Sequence, residues 1–397
     1  MGLNQTPSSE RVHIGFFGCR NAGKSSVVNA VTGQNLAIVS DVKGTTTDPV
    51  SKSMELLPIG PVVIIDTPGI DDEGLLGAER IRRTYQVLNK IDLALLIVDG
   101  TIGMGDSDRK LEMMFKEKAV PYRIVFNKFD QKMQWKASVP DEVLQVSAAT
   151  GEGIEALKEA IGKMAGIKEK ERKIVADLLH PGDFVLLVVP IDESAPKGRL
   201  ILPQQQTIRD LLDNGETAIV VKDTELKETL EKLGTKPAMV ITDSQVFGPV
   251  SKIVPEDIPL TSFSILFARY KGSLRTAVDG ARMLDRLNDG DRILISEGCT
   301  HHRQCNDIGA VKLPNWIETY TGKSFRYEWT SGGSFPEDLS GYRLIVHCGG
   351  CMLNEREMRY RYRHAGEQEI PMTNYGILIA KMKGILERSI LLFPDLK

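Results

Sequence analysis

Three of the chain's five cysteines fall in two short segments, Gly298-Cys299-Thr300-His301 and His347-Cys348-Gly349-Gly350-Cys351. Thiolates spaced Cys-x-x-Cys grip a single centre, and the glycines between them let backbone N–H groups turn toward sulfur. Cys299 and His301 are remote in sequence from the second segment, so the two halves meet only if a fold brings their loops together. These ligand types fit structural zinc as Cys3His, where imidazole is at home, and they fit an iron–sulfur cluster, which prefers thiolate. Reduced thiols holding no metal are the plain third reading, because free cysteine packs as a small apolar residue. Residue types alone leave the three open.

A second set of residues is suited to phosphate. The apolar segment 11–17 runs directly into Gly18-Cys19-Arg20-Asn21-Ala22-Gly23-Lys24-Ser25, the pattern GxxxxGKS, which opens a helix at Ser26. In that setting the backbone of Gly18, Asn21, Ala22, Gly23 and Ser26 cradles the phosphates at a helix N-terminus. Lys24 reaches the β and γ oxygens and Ser25 holds Mg2+. A strand over 62–65 ends in Asp66-Thr67-Pro68-Gly69, where Asp66 serves Mg2+ through water and the Gly69 N–H senses the γ-phosphate. A strand over 124–126 ends in Asn127-Lys128-Phe129-Asp130, and Val146-Ser147-Ala148-Ala149 closes the series. Asp130 is placed to accept two bonds from a guanine edge, which adenine does not offer in that register. The nucleotide expected is therefore GTP or GDP.

These residues need a frame. At 397 residues the chain exceeds one ordinary core. Strands over 183–190, 217–221 and 238–242 alternate with helices over 208–212 and 224–233, which reads as a small parallel α/β unit. It carries no catalytic constellation, so a homodimer interface is its expected task. Prolines at 249, 255 and 259 loosen the pattern before strands over 292–296 and 342–346, each ending directly in one half of the cysteine set. Ligands of open α/β sheets lie past the carboxyl ends of parallel strands, independently of any cysteine spacing. The expected fold class is α/β: a P-loop GTPase domain over 1–168, then two smaller parallel α/β domains, 169–258 for dimerisation and 259–397 for the metal. Arg356, Arg359 and Arg363 share one face of a helix after the second cysteine pair, with Tyr360 and Tyr362 interleaved. That face is a solvated one, a positive collar for an anionic cluster, or a nucleic-acid stripe.

Composition narrows the classes further. A net charge of −3 argues against a dedicated nucleic-acid binder, and no apolar run approaches the roughly 20 residues that span a bilayer. Few cysteines and no signal-peptide pattern point to reducing cytoplasm.

The nucleotide motifs resemble those of the translation-factor-like GTPases, in the group that includes the tRNA-modification GTPase and Era. The resemblance implies that Lys43-Gly44-Thr45-Thr46-Thr47-Asp48 is the first switch, with Thr46 on Mg2+, and that Asn21 holds an activating K+. Lys24, Asn21 and Thr46 are then the catalytic residues. Ile70 follows the DTPG motif where Ras-like proteins carry a water-orienting Gln, which implies slow hydrolysis. Taken with Cys-x-His and His-Cys-x-x-Cys, the whole chain resembles the HydF family of FeFe-hydrogenase maturation GTPases. That resemblance implies a 4Fe-4S cluster on Cys299, Cys348 and Cys351, with His301 and His347 either ligating or flanking it. It also implies a scaffold that completes a two-iron precursor and delivers it to the FeFe-hydrogenase apoprotein, working with radical-SAM maturases of the same pathway. The competing class is a GTP-dependent tRNA-modification or ribosome-assembly factor with structural zinc, which needs a basic RNA surface and a closed fourth ligand. A redox-sensing switch GTPase would instead use the thiols reversibly.

Overall fold

The computed structural model describes residues 6–33, 49–57, 59–69, 75–132, 143–166, 173–191, 200–298 and 308–396. The chain divides into two compact units, Met1–Lys170 and Glu171–Lys397.

In the first unit, strands β1 (Val12–Phe17), β2 (Val50–Leu56), β3 (Gly60–Asp66), β4 (Leu93–Asp99), β5 (Tyr122–Asn127) and β6 (Leu144–Gln145) form one sheet in the order β2-β3-β1-β4-β5-β6. All pairs are parallel except the β2–β3 hairpin. The strand LALLIVD is buried at every position but its last, as expected of a parallel strand covered on both faces. Its alternation sorts the side chains cleanly. Leu93, Leu95 and Ile97 join Ile14 and Phe16 on one face, whereas Ala94, Leu96 and Val98 join Phe17 on the other. Strand order reverses around β1, whose neighbours are β3 and β4, so the loop after β1 opens at the sheet's switch point.

The second unit holds two four-stranded, all-parallel sheets. The first takes β7 (Phe184–Val188), β8 (Thr217–Val221), β9 (Met239–Thr242) and β10 (Leu260–Ser262) in the order β10-β9-β7-β8. The second takes β11 (Arg292–Glu297), β12 (Arg326–Ser331), β13 (Leu344–His347) and β14 (Met372–Asn374) in the order β12-β11-β13-β14. One apolar core serves both: Leu186 and Ile241 of the first sheet belong to the same cluster as Leu294 and Val346 of the second. Helix Phe263–Tyr270 contributes Ile265, Leu266 and Phe267 to that core, and helix Tyr375–Met382 contributes Ile377, Leu378 and Ile379.

The chain runs from β11 to β12 on one side of β11 and then to β13 on the other. The carboxyl ends of β11 and β13 thus flank a second switch point, and the two cysteine segments follow those strands.

Candidate functional site

The phosphate loop is built by strain that its sequence tolerates. Asn21 takes φ 62°, a left-handed conformation that asparagine accepts more readily than most residues, and it is exposed. Gly23 has φ 85°, and a Cβ there would stand 2.2 Å from Asn127 Nδ2, so no other residue fits. Helix Lys24–Thr32 begins immediately after, with Ala22 buried and Ser26 exposed on its outer face. Lys24 is only 8% exposed, and its Nζ donates to Gly18 O at 3.0 Å and Cys19 O at 2.8 Å. The ammonium is thereby held over the loop whose N–H groups it must complement. Thr46 lies outside the described residues.

At the end of β3, Ser25 Oγ donates to Asp66 Oδ2 at 2.8 Å. Burial raises the Asp66 carboxyl above its ordinary range, against the lowering effects of Ser25 and the Lys24 charge. Its second oxygen, Oδ1, is buried and has no hydrogen-bond partner among the described residues. A hydroxyl beside a buried, half-satisfied carboxylate is an all-oxygen donor set of the kind Mg2+ takes, usually through retained waters. Gly69 passes against the backbone of Arg20 in the same loop.

The base side is held by Asn127, which is 2% exposed. Its Nδ2 donates to Ala22 O at 3.0 Å, its Oδ1 accepts from Ala148 N at 3.0 Å, and its backbone carbonyl accepts from Gly100 N at 2.8 Å. One side chain thus ties the phosphate loop to the Ser147–Ala148 loop. Ser147 Oγ donates to Asp130 Oδ1 at 2.6 Å, steadying an exposed carboxylate. Lys128, at φ 65°, pairs through Nζ with Asp99 Oδ2 at 2.6 Å. Burial alone would raise Asp99, but the bonds from Lys128 and Thr101 prevail and hold its carboxyl below the usual range. Asp99 escaped the sequence reading, although its position at the end of a wholly apolar strand was a signal.

The metal half of the prediction is described in part. Cys299 and His301 lie outside the described residues, and among the described residues no three His, Cys, Asp or Glu side chains are grouped to hold a metal ion. What the structure describes is the second segment and its support. Cys348 Sγ accepts N–H bonds from Gly298 at 3.0 Å and from Gly350 at 3.4 Å. Burial pushes its thiol up, while those two bonds favour thiolate. Gly298 immediately precedes Cys299. Gly350 turns at φ 61°, and a Cβ on it would meet Met358 Sδ at 2.5 Å, so the turn between the cysteines is fitted to the helix behind it. Cys351 is partly exposed.

His347 is fully buried, and both its ring nitrogens are taken. Nδ1 lies 2.7 Å from Cys348 O and Nε2 lies 2.9 Å from Arg361 Nη1, so Nδ1–H donates and Nε2 accepts. Burial, and then the neighbouring guanidinium, push its pKa down to about 3. Of the two expectations for His347, ligating or flanking, these bonds suit a flanking residue.

Arg361 was not singled out from the sequence. It is 0% exposed and joins Glu357, His347, Ser296 Oγ and the Gly332 carbonyl, with its guanidinium 5.1 Å over the Phe335 ring. Glu357 lies one turn earlier on helix Glu355–Glu367, 4% exposed. The signal was present: Met358, Tyr362 and Ala365 mark the buried face, and Arg361 falls among them. The arginines that the sequence did suggest behave otherwise. Arg359 and Arg363 are exposed and pair along the helix with Glu355 and Glu367, so their face is the solvated one.

Residues 13–128 match the family described as 50S ribosome-binding GTPase, residues 174–272 the Hydrogen maturase F dimerization domain, and residues 275–392 the Hydrogen maturase F tetramerization domain. The chain is 36% identical over 161 residues to the tRNA modification GTPase MnmE of Nitrosomonas europaea, covering 40% of this chain and 35% of that protein. It is 36% identical over 193 residues to GTPase Der of Wolinella succinogenes, covering 45% and 40% respectively. The chain thus spans less than half the length of these relatives. Among solved structures, Aquifex aeolicus Era is similar at 20% identity over 53% of this chain and 92% of that one, with a TM-score of 0.35. No helix among the described residues is long and apolar enough to cross a membrane.

Proposed function

The chain belongs to the hydrogen maturase F family, and from that premise we propose that it is a GTP-hydrolysing scaffold that carries a 4Fe-4S cluster and delivers a two-iron precursor to FeFe-hydrogenase apoprotein. Residues 1–168 handle GTP, 169–258 self-associate as a homodimer, and 259–397 hold the cluster on Cys299, Cys348 and Cys351. Radical-SAM maturases of the same pathway are the expected donors, in the cytoplasm. The observation that supports this reading most is the bond from Gly298 N–H to Cys348 Sγ at the switch point of the second sheet. It joins the residue before Cys299 to the second cysteine segment. N–H groups aimed at sulfur suit a thiolate, and thiolates suit iron–sulfur clusters. Three cysteines leave one of four irons for a weaker ligand, which gives a precursor somewhere to attach. That position falls to His301, His347, a carboxylate or solvent.

The test is anaerobic purification followed by iron and sulfide analysis. Brown protein that bleaches in air, with iron lost from Cys348→Ala, is the expected result. Colourless protein carrying zinc would instead favour the assembly-factor reading.

For the nucleotide, Lys24 would reach the phosphates, Ser25 and Asp66 would hold Mg2+, and Asn127 and Asp130 would select guanine. When bound there, Mg2+ would supply charge neutralisation for the phosphates. Asn21 and Thr46 complete the reaction centre, Asn21 by holding K+ in the place of an arginine finger. Turnover is expected to be about tenfold faster in KCl than in NaCl at equal ionic strength, a small part of what an arginine finger supplies. Asn21→Ala should erase the difference. Equal rates for the unaltered protein in the two salts would remove K+ from the account.

A further inference from the structure

Lys271 closes the helix Phe263–Tyr270 and is 5% exposed. Its Nζ donates to Gly350 O and, at 2.9 Å, to Leu353 O. Those carbonyls stand on either side of Cys351, and Leu353 N returns to Gly350 O at 3.1 Å. One ammonium therefore clamps both ends of the turn that presents the second thiol of the pair. Burying an ammonium is expensive, and two carbonyls could be satisfied by a neutral donor. What a cation adds is a field favouring negative charge beside it, strong where water is excluded. Thiolates and an electron-rich metal centre are the negative groups this loop is suited to carry. Lys271 also lies within the stretch matching the dimerization domain, whereas the cysteines lie within the stretch matching the tetramerization domain.

We propose that Lys271 is a positioning residue of the metal site: it holds the Cys351 turn in ligating form, and its charge favours the reduced state of the centre. This rests on the iron–sulfur reading above. The full chain is reconstituted anaerobically with ferrous iron and sulfide, as unaltered protein and as Lys271→Met, Lys271→Gln and Lys271→Arg. Iron retention is measured against a ferrous chelator, and the midpoint potential by dithionite titration followed by electron paramagnetic resonance.

Lys271→Met is expected to hold iron about tenfold more weakly, in the range seen when outer-shell partners of metal ligands are removed. Its midpoint should move to more negative potential. Lys271→Gln, which keeps a donor but not the charge, should recover retention in part and leave the midpoint low, whereas Lys271→Arg should restore it. Unaltered retention and midpoint in Lys271→Met overturn the proposal. If circular dichroism shows that this variant does not fold, the same outcome in Lys271→Gln overturns it. A low midpoint in Lys271→Arg removes the role of charge. Should the unaltered protein take up no iron and sulfide, the cluster reading itself falls, and that result is distinct from all the others.

Discussion

Replacing Arg361 with leucine is expected to destabilise the second unit by about 3–5 kcal/mol, the cost of removing one partner from a buried ion pair. The guanidinium is 0% exposed and is shared among Glu357, His347, Ser296 and Gly332. Without it Glu357, whose Oε2 has no hydrogen-bond partner among the described residues, would keep a buried carboxylate with no counter-charge from Arg361, and His347 Nε2 would lose its donor. Urea unfolding followed by circular dichroism measures the loss. Changing both partners, as Arg361→Leu with Glu357→Leu, should return much of it, because a buried pair replaced by apolar side chains is often near neutral. An unshifted unfolding midpoint in the single variant would mean that the network contributes little.

For Lys24→Ala, guanine-nucleotide affinity should fall by about 10- to 100-fold, since a charge-assisted bond to phosphate contributes about 1.5–3 kcal/mol. The ammonium already lies 2.8–3.0 Å from two loop carbonyls, so little ordering remains to be done when phosphate binds. Calorimetric titration with GDP measures the change. Iron content should stay at the level of the unaltered protein, because Lys24 and the cysteine pair belong to different compact units. Loss of iron together with nucleotide would show that the two sites are coupled.

The phosphate loop was legible because its chemistry fixes residue types at fixed spacing. The cysteine pair was legible for the same reason. Strands β10 and β14, at three residues each, are too short to show a period, and β12 (RYEWTS) is a half-exposed edge without apolar alternation. Lys271 was invisible for a different cause. The carbonyls it clamps are 79 and 82 residues away, and no local pattern distinguishes a lysine that turns inward from one that does not. His347 shows another limit, since its place beside Cys348 left ligand and flanking residue both open, and its bonds to Cys348 O and Arg361 are not legible in the sequence.

The apolar core common to β7–β10 and β11–β14 constrains how such a chain can change over evolutionary time. A recombination event that exchanged only the last module would remove Leu294 and Val346 from the cluster that also holds Leu186 and Ile241, and would present apolar surface to solvent. The shared core therefore constrains the two modules together.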